Sequence, residues 1–495
     1  MASPTTAAED AAVARDDQSG PTGAELGPDV PEGFRSEHDL LGDRLVPDQA
    51  YWGVHTLRAV ENFPITGRRL STNPHLVRGL AAVKLAAARA NRELGLLDGE
   101  RSDAIEAACQ EILSGSLLEE FVVDVIQGGA GTSSNMNANE VIANRALEVL
   151  GRRKGDYAAL HPNDHVNLSQ STNDVYPTAV RVATVFGIED LLAALVALED
   201  AFAAKADEFR TVVKMGRTQL QDAVPMTLGQ EFGTYAVTIG EDRERLREAS
   251  GLIHEINLGA TAIGTGLNAP AGYAEAACRH LGEVTGLPLV TAVDLIEATQ
   301  DMGAFVHLSG VLKRVAVKLS KICNDLRLLS SGPRAGLAEI TLPAVQSGSS
   351  IMPGKINPVI PEVVNQVAFE VIGNDVTITM AAEGGQLQLN AFEPIIVHSL
   401  HESITHLTAA CHTLADRCVS GITANVERLR TTVEQSIGLV TALNPYLGYA
   451  QATAIAQEAL ASGRGVAELV LERGLLTADR LDELLRPERL ANLGA

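Results

Sequence analysis

The chain has 495 residues, of which 46% are hydrophobic and 20% charged, and its formal net charge is −23. This length supports one large core or two to three domains and excludes a small binding module. The strong negative charge argues against nucleic acid or a membrane surface as a partner, since both are bound chiefly through Lys and Arg. An anionic substrate would need a local positive site.

The N-terminal residues 1–34 are rich in Ala, Asp, Gly and Pro and carry few large apolar side chains. Such a composition cannot bury enough apolar surface to fold, so we expect an acidic disordered tail over 1–34. No stretch has the apolar pattern of a signal peptide or a membrane span. The five cysteines are scattered among apolar helical stretches without metal-ligand spacing, so we expect reduced thiols in a cytoplasmic protein.

Beyond the tail, apolar residues recur at intervals of three and four, which predicts long helices. These helices cover roughly 176–208, 230–257, 305–326, 359–383 and 391–417, and strand-like alternation is confined to short pieces such as 44–56. Aromatic residues make up only 4% of the chain, so small aliphatic side chains must make most contacts, as in a bundle of closely packed helices.

The sequence therefore predicts a mainly α fold with three domains after the tail. We expect an N-terminal mixed, mostly helical domain over 35–172, a central long-helix bundle over 173–426 and a small C-terminal helical domain over 427–495. Several of the long helices are apolar on more than one face, which would leave hydrophobic surface exposed in a monomer. Oligomerisation would cover that surface.

Four polar segments stand out, and each is predicted to lie just before a helix: residues 131–135, 169–174, 216–222 and 348–358. Each would place hydroxyls, amides and free backbone N–H groups at a positive helix end, where carboxylates or phosphates bind. Any one of them alone is more simply an ordinary helix cap. Four together, one with a lone Lys in a Gly/Ser loop, favour a substrate with more than one anionic group.

The stretch GSSIMPGKINP at 348–358 resembles the signature of the fumarase/aspartase superfamily, and the resemblance extends from about residue 36 to the C-terminus. It is similar to the branch that releases ammonia from aspartate in the stretches EHDLLGDRLVPDQAYWGVHTLRAVENF at 37–63, GAGTSSNMNANEVIANRALEVLG at 129–151, QSTND at 170–174 and PVIPEVVNQVAFEVIGND at 358–375. The resemblance implies a three-domain, mostly helical subunit. It also implies a homotetramer built on a central bundle of long helices, with active sites shared between subunits where segments from three subunits converge.

The resemblance further implies that L-aspartate loses ammonia to give fumarate through a doubly negative aci-carboxylate, whose charge must be stabilised by preorganised donors. By resemblance Ser349 is the general base, acting as an alkoxide, and Gly348 and Gly354 let the loop close. By the same resemblance, the substrate-binding residues are Thr132, Ser133, Ser171, Thr172, Asn173, Thr218, Gln219, Ser350, Lys355 and Asn357.

Among these binding residues, Lys355 and Asn357 would hold the α-carboxylate. The β-carboxylate would be held by Ser171, Thr172 and Ser350. By the same resemblance, the amino group and the carboxylate beside it would be surrounded by Thr132, Asn173 and Thr218.

Two departures from the superfamily pattern keep alternatives open. Gln219 stands where many relatives, including fumarases, have His, and Leu168 stands where many have Lys. A neutral amide cannot relay protons, so a fumarase-like hydration of fumarate is disfavoured but remains the alternative. A non-catalytic structural member is the other alternative, against which the intact Ser349, Lys355 and Asn357 argue. We expect no required cofactor, with Mg²⁺ as an activator and no dedicated metal-ligand cluster.

Overall fold

The structure is a computed structural model that describes residues 30–490. Most of the predicted tail, residues 1–29, lies outside the described residues, as do residues 491–495. The first strand begins at Phe34, the last position of the predicted tail, and forms an antiparallel hairpin with the second. The elements of the N-terminal region are β1 Phe34–Asp39, β2 Gly42–Pro47, α1 Val54–Asn62, α2 Pro74–Glu93, α3 Gly99–Leu113 and α4 Thr132–Val149.

The strand-like stretch predicted at 44–56 is only partly a strand, because β2 ends at Pro47 and α1 begins at Val54. The start of α1 is held by a side chain from another helix. Glu140 of α4 accepts hydrogen bonds from the backbone N–H groups of Gly53, His55 and Thr56 at 2.7, 2.8 and 3.1 Å. This cap comes from a residue more than 80 positions away, which local sequence pattern does not reveal.

Long helices dominate the centre of the chain and confirm the predicted mainly α fold. The elements here are α5 Thr172–Glu208, β3 Val213–Thr218, β4 Gln221–Thr227, α6 Leu228–Ser250, β5 Glu255–Ile256, α7 Tyr273–Thr285, β6 Val290–Thr291, α8 Leu295–Gln300, α9 Gly303–Leu329, β7 Ile340–Thr341, α10 Val359–Glu383 and α11 Glu393–Arg417. The helix predicted over 359–383 matches α10. The helix predicted over 230–257 ends early, at Ser250, because 255–256 pair with 290–291 as short parallel strands.

The central bundle consists of α5, α6, α9, α10 and α11. α5 packs against α6 and α11, and α10 packs between α9 and α11, while α2 lies against α5 from the N-terminal region. The approach of α2 to α5 depends on a glycine. A Cβ at Gly79 would lie 2.5 Å from the Ala179 carbonyl oxygen, so any other residue would force the two helices apart.

The C-terminal region holds short helices with a core of their own. Its elements are β8 Thr423–Ala424, α12 Val426–Gln435, α13 Leu439–Leu447, α14 Tyr449–Ser462, α15 Val466–Glu472, α16 Ala478–Leu484 and α17 Pro487–Leu490. One hydrophobic core runs from Ala59 to Leu429 through the N-terminal helices and the bundle. A second core joins the C-terminal helices to Met215 of β3. The domain limits at 34/35, 172/173 and 426/427 stay predictions.

α10 exposes large apolar side chains along one of its faces. Phe369, Val376 and Met380 are 57–69% exposed, and their spacing of seven and four residues places them on the same side of the helix. Exposed apolar surface of this kind on a bundle helix is typical of a surface that packs against another chain.

Candidate active site

The second polar segment forms the N-terminus of α5. Ser171 caps this helix: its hydroxyl accepts from the Asn173 N–H at 3.2 Å, and its own N–H donates to Asp174 Oδ1 at 3.0 Å. Pro177, in the second turn, cannot donate to the Asn173 carbonyl, and Asn257 Nδ2 donates to that carbonyl at 3.0 Å instead. The predicted binding residues of this segment therefore lie on a fixed, electropositive helix end.

The first segment begins α4 beside the second. Gly131 precedes the helix with φ +88°, and a Cβ there would lie 2.3 Å from an aromatic ring of α5, so glycine is required. Thr132 is exposed in the first turn, whereas Ser133 is buried. Asn135 Nδ2 donates to Thr172 Oγ1 at 3.1 Å, which joins the two segments directly.

A cavity of about 480 Å³ opens beside the second segment. Its lining comes from a π-helical turn at Pro162–Val166 and the residues after it, together with the loop that follows β5. Asn173 Nδ2 donates to the Ala262 carbonyl at 2.7 Å at this loop. The lining residues are Asn163, Asp164, Asn167, Leu168, Ser169, Gln170, Ser171, Thr261, Ala262, Leu267 and Asn268. Leu168, one of the two departures from the superfamily pattern, thus borders this cavity.

A buried cation that the sequence analysis missed lies behind the second segment. Lys84 of α2 is fully buried, and its Nζ donates to Asn167 Oδ1 at 2.8 Å and to Gln170 Oε1 at 2.9 Å. Burial lowers the pKa of Lys84 to about 7, and burial raises the pKa of Asp174 to about 6. The sequence feature that could have indicated this buried cation is a single Lys within the apolar run GLAAVKLAAA at 79–88, because such a run is usually buried.

The third segment does not precede a helix, and that prediction is wrong. Residues 216–222 form the tip of the β3–β4 hairpin, and α6 begins only at Leu228. Gln219 and Leu220 both have positive φ, at +54° and +62°, as the two central residues of a tight hairpin turn require. Thr218 and Gln219 are exposed at this tip. The sequence offers no Asn-Gly or Asp-Gly pair that would have indicated the turn.

The fourth segment is a loop in which the predicted base meets backbone donors. Ser349 Oγ accepts from the N–H groups of Ile351 and Met352 at 3.2 and 3.1 Å. No His or carboxylate is bonded to this hydroxyl among residues 30–490. Two N–H groups that point at one oxygen stabilise negative charge on it, as an alkoxide requires.

The same loop is closed at its base by two hydrogen bonds to Gly348. The Gly348 N–H donates to the Lys355 carbonyl at 2.9 Å, and Asn357 Nδ2 donates to the Gly348 carbonyl at 2.7 Å. A Cβ at Gly348 would lie 2.3 Å from the Lys355 carbonyl oxygen, so this glycine is required by close approach. Gly354 instead has φ +80° and open space around it. The Lys355 and Ser350 side chains are exposed to solvent.

Within one chain the four segments form two pairs rather than one site. The first and second segments lie at the N-terminus of α5, and the third follows its C-terminus. The fourth segment is connected to that same end of α5. Lys205, near the C-terminus of α5, donates to the Ile422 carbonyl at 2.9 Å, and the adjoining strand β8 at 423–424 pairs with β7 at 340–341. From β7 the chain continues to the fourth segment. α5 itself, with 37 residues, is roughly 55 Å long.

A group of potential metal ligands lies away from all four segments. Glu370, Glu402 and His406 place one ligand atom each within 4.8 Å of one another. His406 Nδ1 lies 2.8 Å from Glu370, its Nε2 lies 3.6 Å from Glu402, and Arg68 pairs with Glu402 at 2.5 Å. Each of the three groups thus has a polar contact with another of them, and Glu402 also pairs with Arg68.

This fold and these segments define the class of the protein: a mainly helical lyase with a Ser-bearing loop ahead of a bundle helix. The chain belongs to the lyase family, whose model matches residues 42–373, and residues 439–492 match the model of the fumarase C C-terminus. Among the helices of residues 30–490, none combines the length and apolar character needed to span a membrane.

Within this family, the chain is 63% identical to the aspartate ammonia-lyase of Pseudomonas fluorescens, over 92% of this chain and 96% of that protein. It is 56% identical to the aspartate ammonia-lyase of Escherichia coli K12, over 92% and 96%.

Two crystal structures are also similar to this chain. One is described as a fumarate lyase:delta crystallin from Brucella melitensis bound to cobalt, with 60% identity, a TM-score of 0.90 and coverage of 92% of this chain and 99% of that one. The other, a class II fumarase from Schistosoma mansoni, has 36% identity, a TM-score of 0.87 and coverage of 93% and 100%.

Proposed function

We propose that the protein is an aspartate ammonia-lyase that interconverts L-aspartate with fumarate and ammonia. The observation that carries this proposal is the Ser349 hydroxyl, which accepts two backbone N–H groups in a Gly/Ser loop that also presents the exposed Lys355. Such a site suits proton abstraction by an oxyanion, with no imidazole involved. Similarity to aspartate ammonia-lyases at 56–63% identity supports the same reaction.

In the proposed reaction, Ser349 acts as an alkoxide and takes a proton from the carbon next to the β-carboxylate. The electron pair of that C–H bond spreads into the β-carboxylate as an aci-carboxylate, which Ser171, Thr172 and Ser350 stabilise as donors. The pair then forms the carbon–carbon double bond while the C–N bond breaks and ammonia leaves. Lys355 holds the α-carboxylate throughout, since an ammonium and a carboxylate form a charge-assisted hydrogen bond.

The amino group of the substrate is assigned to Thr132, Asn173 and Thr218, with the amide of Gln219 beside them and Ser133 behind. Asn357 is assigned to the α-carboxylate, although one of its N–H groups already donates to Gly348. Asn357 therefore stabilises the loop through this hydrogen bond and is also a proposed substrate-binding residue.

We propose further that the active form is a homotetramer whose sites are shared between subunits. Two observations support it: the pairs of segments lie at opposite ends of α5, and α10 presents exposed apolar side chains. In such a tetramer, antiparallel neighbours would bring segments from opposite ends of α5 together, with three subunits contributing to each site. The partners are then small molecules and copies of the chain, with no nucleic acid and no membrane, in the cytoplasm.

The function is tested by following the absorbance of fumarate formed by the purified protein, separately with L-aspartate and with L-malate. We expect release of ammonia from L-aspartate and negligible reaction with L-malate. A site that hydrogen-bonds an amine rejects an analogue that lacks it by about 10⁴ or more, and Gln219 cannot relay a proton to water.

Other outcomes of this assay would favour one of the alternative functions or contradict the proposed chemistry. A kcat/KM for malate equal to or above that for aspartate would establish a fumarase instead, and inertness toward both substrates would leave the structural alternative. We expect activity without added cofactor and stimulation by Mg²⁺, which the same assay measures after chelation and readdition. Loss of all activity on chelation would contradict the proposed metal-free chemistry.

A further inference from the structure

The hairpin that carries Thr218 and Gln219 is attached to a buried glutamate far along the chain. Glu339, which precedes β7, is 1% exposed. Its Oε2 lies 2.9 Å from Lys214 Nζ, and its Oε1 lies 2.6 Å from Arg217 Nη1. Lys214 also pairs with Glu231 of α6 at 2.5 Å. Two acids and two bases thus join β3 to α6 and to the segment that leads into the Ser349 loop.

The β3–β4 hairpin is irregular between the two cations that reach Glu339. Its pairing shifts by one residue between Met215 and Arg217, where Ala223 and Val224 of β4 stand opposite Gly216 alone. Lys214 and Arg217, on either side of this irregularity, both lie at ion-pair distance from Glu339. Gly216 lies at this irregularity, where a Cβ would come within 2.9 Å of the Val224 carbonyl oxygen.

Glu339 itself is held on both sides by backbone hydrogen bonds. Its N–H donates to the Leu329 carbonyl at the end of α9, and its carbonyl accepts from the Asn425 N–H, both at 2.9 Å. These bonds hold the Glu339 backbone in place, so its carboxylate can anchor the β3–β4 hairpin. Its oxygens lie at ion-pair distance from the two cations but outside hydrogen-bond geometry, so the attraction is mainly Coulombic. Negative charge at this position matters more than the shape of the side chain.

We propose that Glu339 is a positioning residue for the reaction: through Arg217 it fixes the neighbouring Thr218 and the exposed hairpin tip where the substrate amine binds. This inference rests on the proposed function, and it adds a residue that does not itself touch the substrate. The tip is open to solvent, because Thr218 and Gln219 are exposed and Leu220 is 70% exposed, and on its β4 side Asp222 accepts from Ser436 Oγ at 2.8 Å. Without the ion pair, the tip loses its attachment one residue away from Thr218.

The test compares Arg217→Gln, Glu339→Asp and Glu339→Gln with wild type in the L-aspartate assay. Arg217→Gln detaches the tip while Lys214 stays paired with both acids, so it preserves the buried core of the network. We expect KM for L-aspartate to rise about tenfold or more with a smaller fall in kcat, the pattern expected when a ground-state binding contact is lost. Glu339→Asp, which keeps the charge, should retain more activity than the isosteric Glu339→Gln.

The matched control is Asp242→Asn. Asp242 is 2% exposed and also lies at ion-pair distance from one Arg and one Lys, Arg314 at 2.9 Å and Lys318 at 3.2 Å, but between α6 and α9. It should lower the melting temperature and leave KM near the wild-type value.

The possible outcomes separate this inference from the proposed function. An unchanged KM in folded Arg217→Gln overturns the inference, and so does a Glu339→Gln enzyme more active than Glu339→Asp. A KM rise in Asp242→Asn equal to that in Arg217→Gln also overturns it, since the effect would then be general destabilisation. Wild-type protein that forms no fumarate from L-aspartate refutes the proposed function instead.

Discussion

At the scale of single residues, Ser349 is distinguished by its surroundings rather than by a partner base. Its hydroxyl oxygen accepts two backbone N–H groups, and Lys355, six residues later, is exposed to solvent. A serine is a very weak acid in water, so its proposed use as a base depends on donors that stabilise the alkoxide. The sequence predicts a catalytic loop by resemblance, whereas the coordinates show which donors face the oxygen.

Replacement of Ser349 tests this role. Ser349→Ala removes the proposed base and should lower kcat by at least about a hundredfold while the protein stays folded. The matched control is Ser347→Ala, two residues earlier in the same exposed stretch, which should keep near wild-type kcat. Steady-state rates of fumarate formation, with circular dichroism as the check on folding, decide the result. Near wild-type turnover by Ser349→Ala would refute the mechanism.

At the scale of elements, periodicity predicted the long helices well because each buries a regular apolar stripe, as α10 does over Val359–Glu383. It could not predict the β3–β4 hairpin, whose turn places Gln219 and Leu220 at positive φ without the usual glycine. Nor could it predict the Asn135 contact to Thr172 or the buried Lys84, since both depend on packing between distant helices. Local pattern determines elements, whereas tertiary contacts determine the site.

The Ser349 loop provides a prediction at this scale. Gly348→Ala would place a Cβ 2.3 Å from the Lys355 carbonyl oxygen and break the hydrogen bond that closes the loop. We expect kcat to fall about tenfold or more, because misplaced catalytic groups lose rate steeply. The melting temperature should change little, since the loop is largely exposed. Gly251→Ala is the control, as its Cβ would meet no atom within 4 Å. Equal kcat in the two variants would refute the requirement for glycine at 348.

At the scale of the whole molecule, the proposed binding residues of one chain lie toward opposite ends of α5, a helix roughly 55 Å long. Mixing subunits tests whether they combine between chains. Ser349→Ala and Thr172→Ala subunits, each inactive alone, should regain activity when unfolded together and refolded, because some sites then receive neither change. Mixtures of Ser349→Ala with Lys355→Ala should stay inactive, since both changes lie in the fourth segment. Absence of recovery in the first mixture would show that one chain supplies all four segments.

The length of α5 also has a consequence for how this catalyst responds to dilution. In the proposed tetramer, a subunit that separates from its neighbours would keep its own hydrophobic core, which runs from the N-terminal helices through the bundle. It would lose catalysis nonetheless, because the proposed site residues of one chain lie at opposite ends of the 37-residue α5. The proposal therefore predicts that specific activity falls on dilution while the separated chains stay folded.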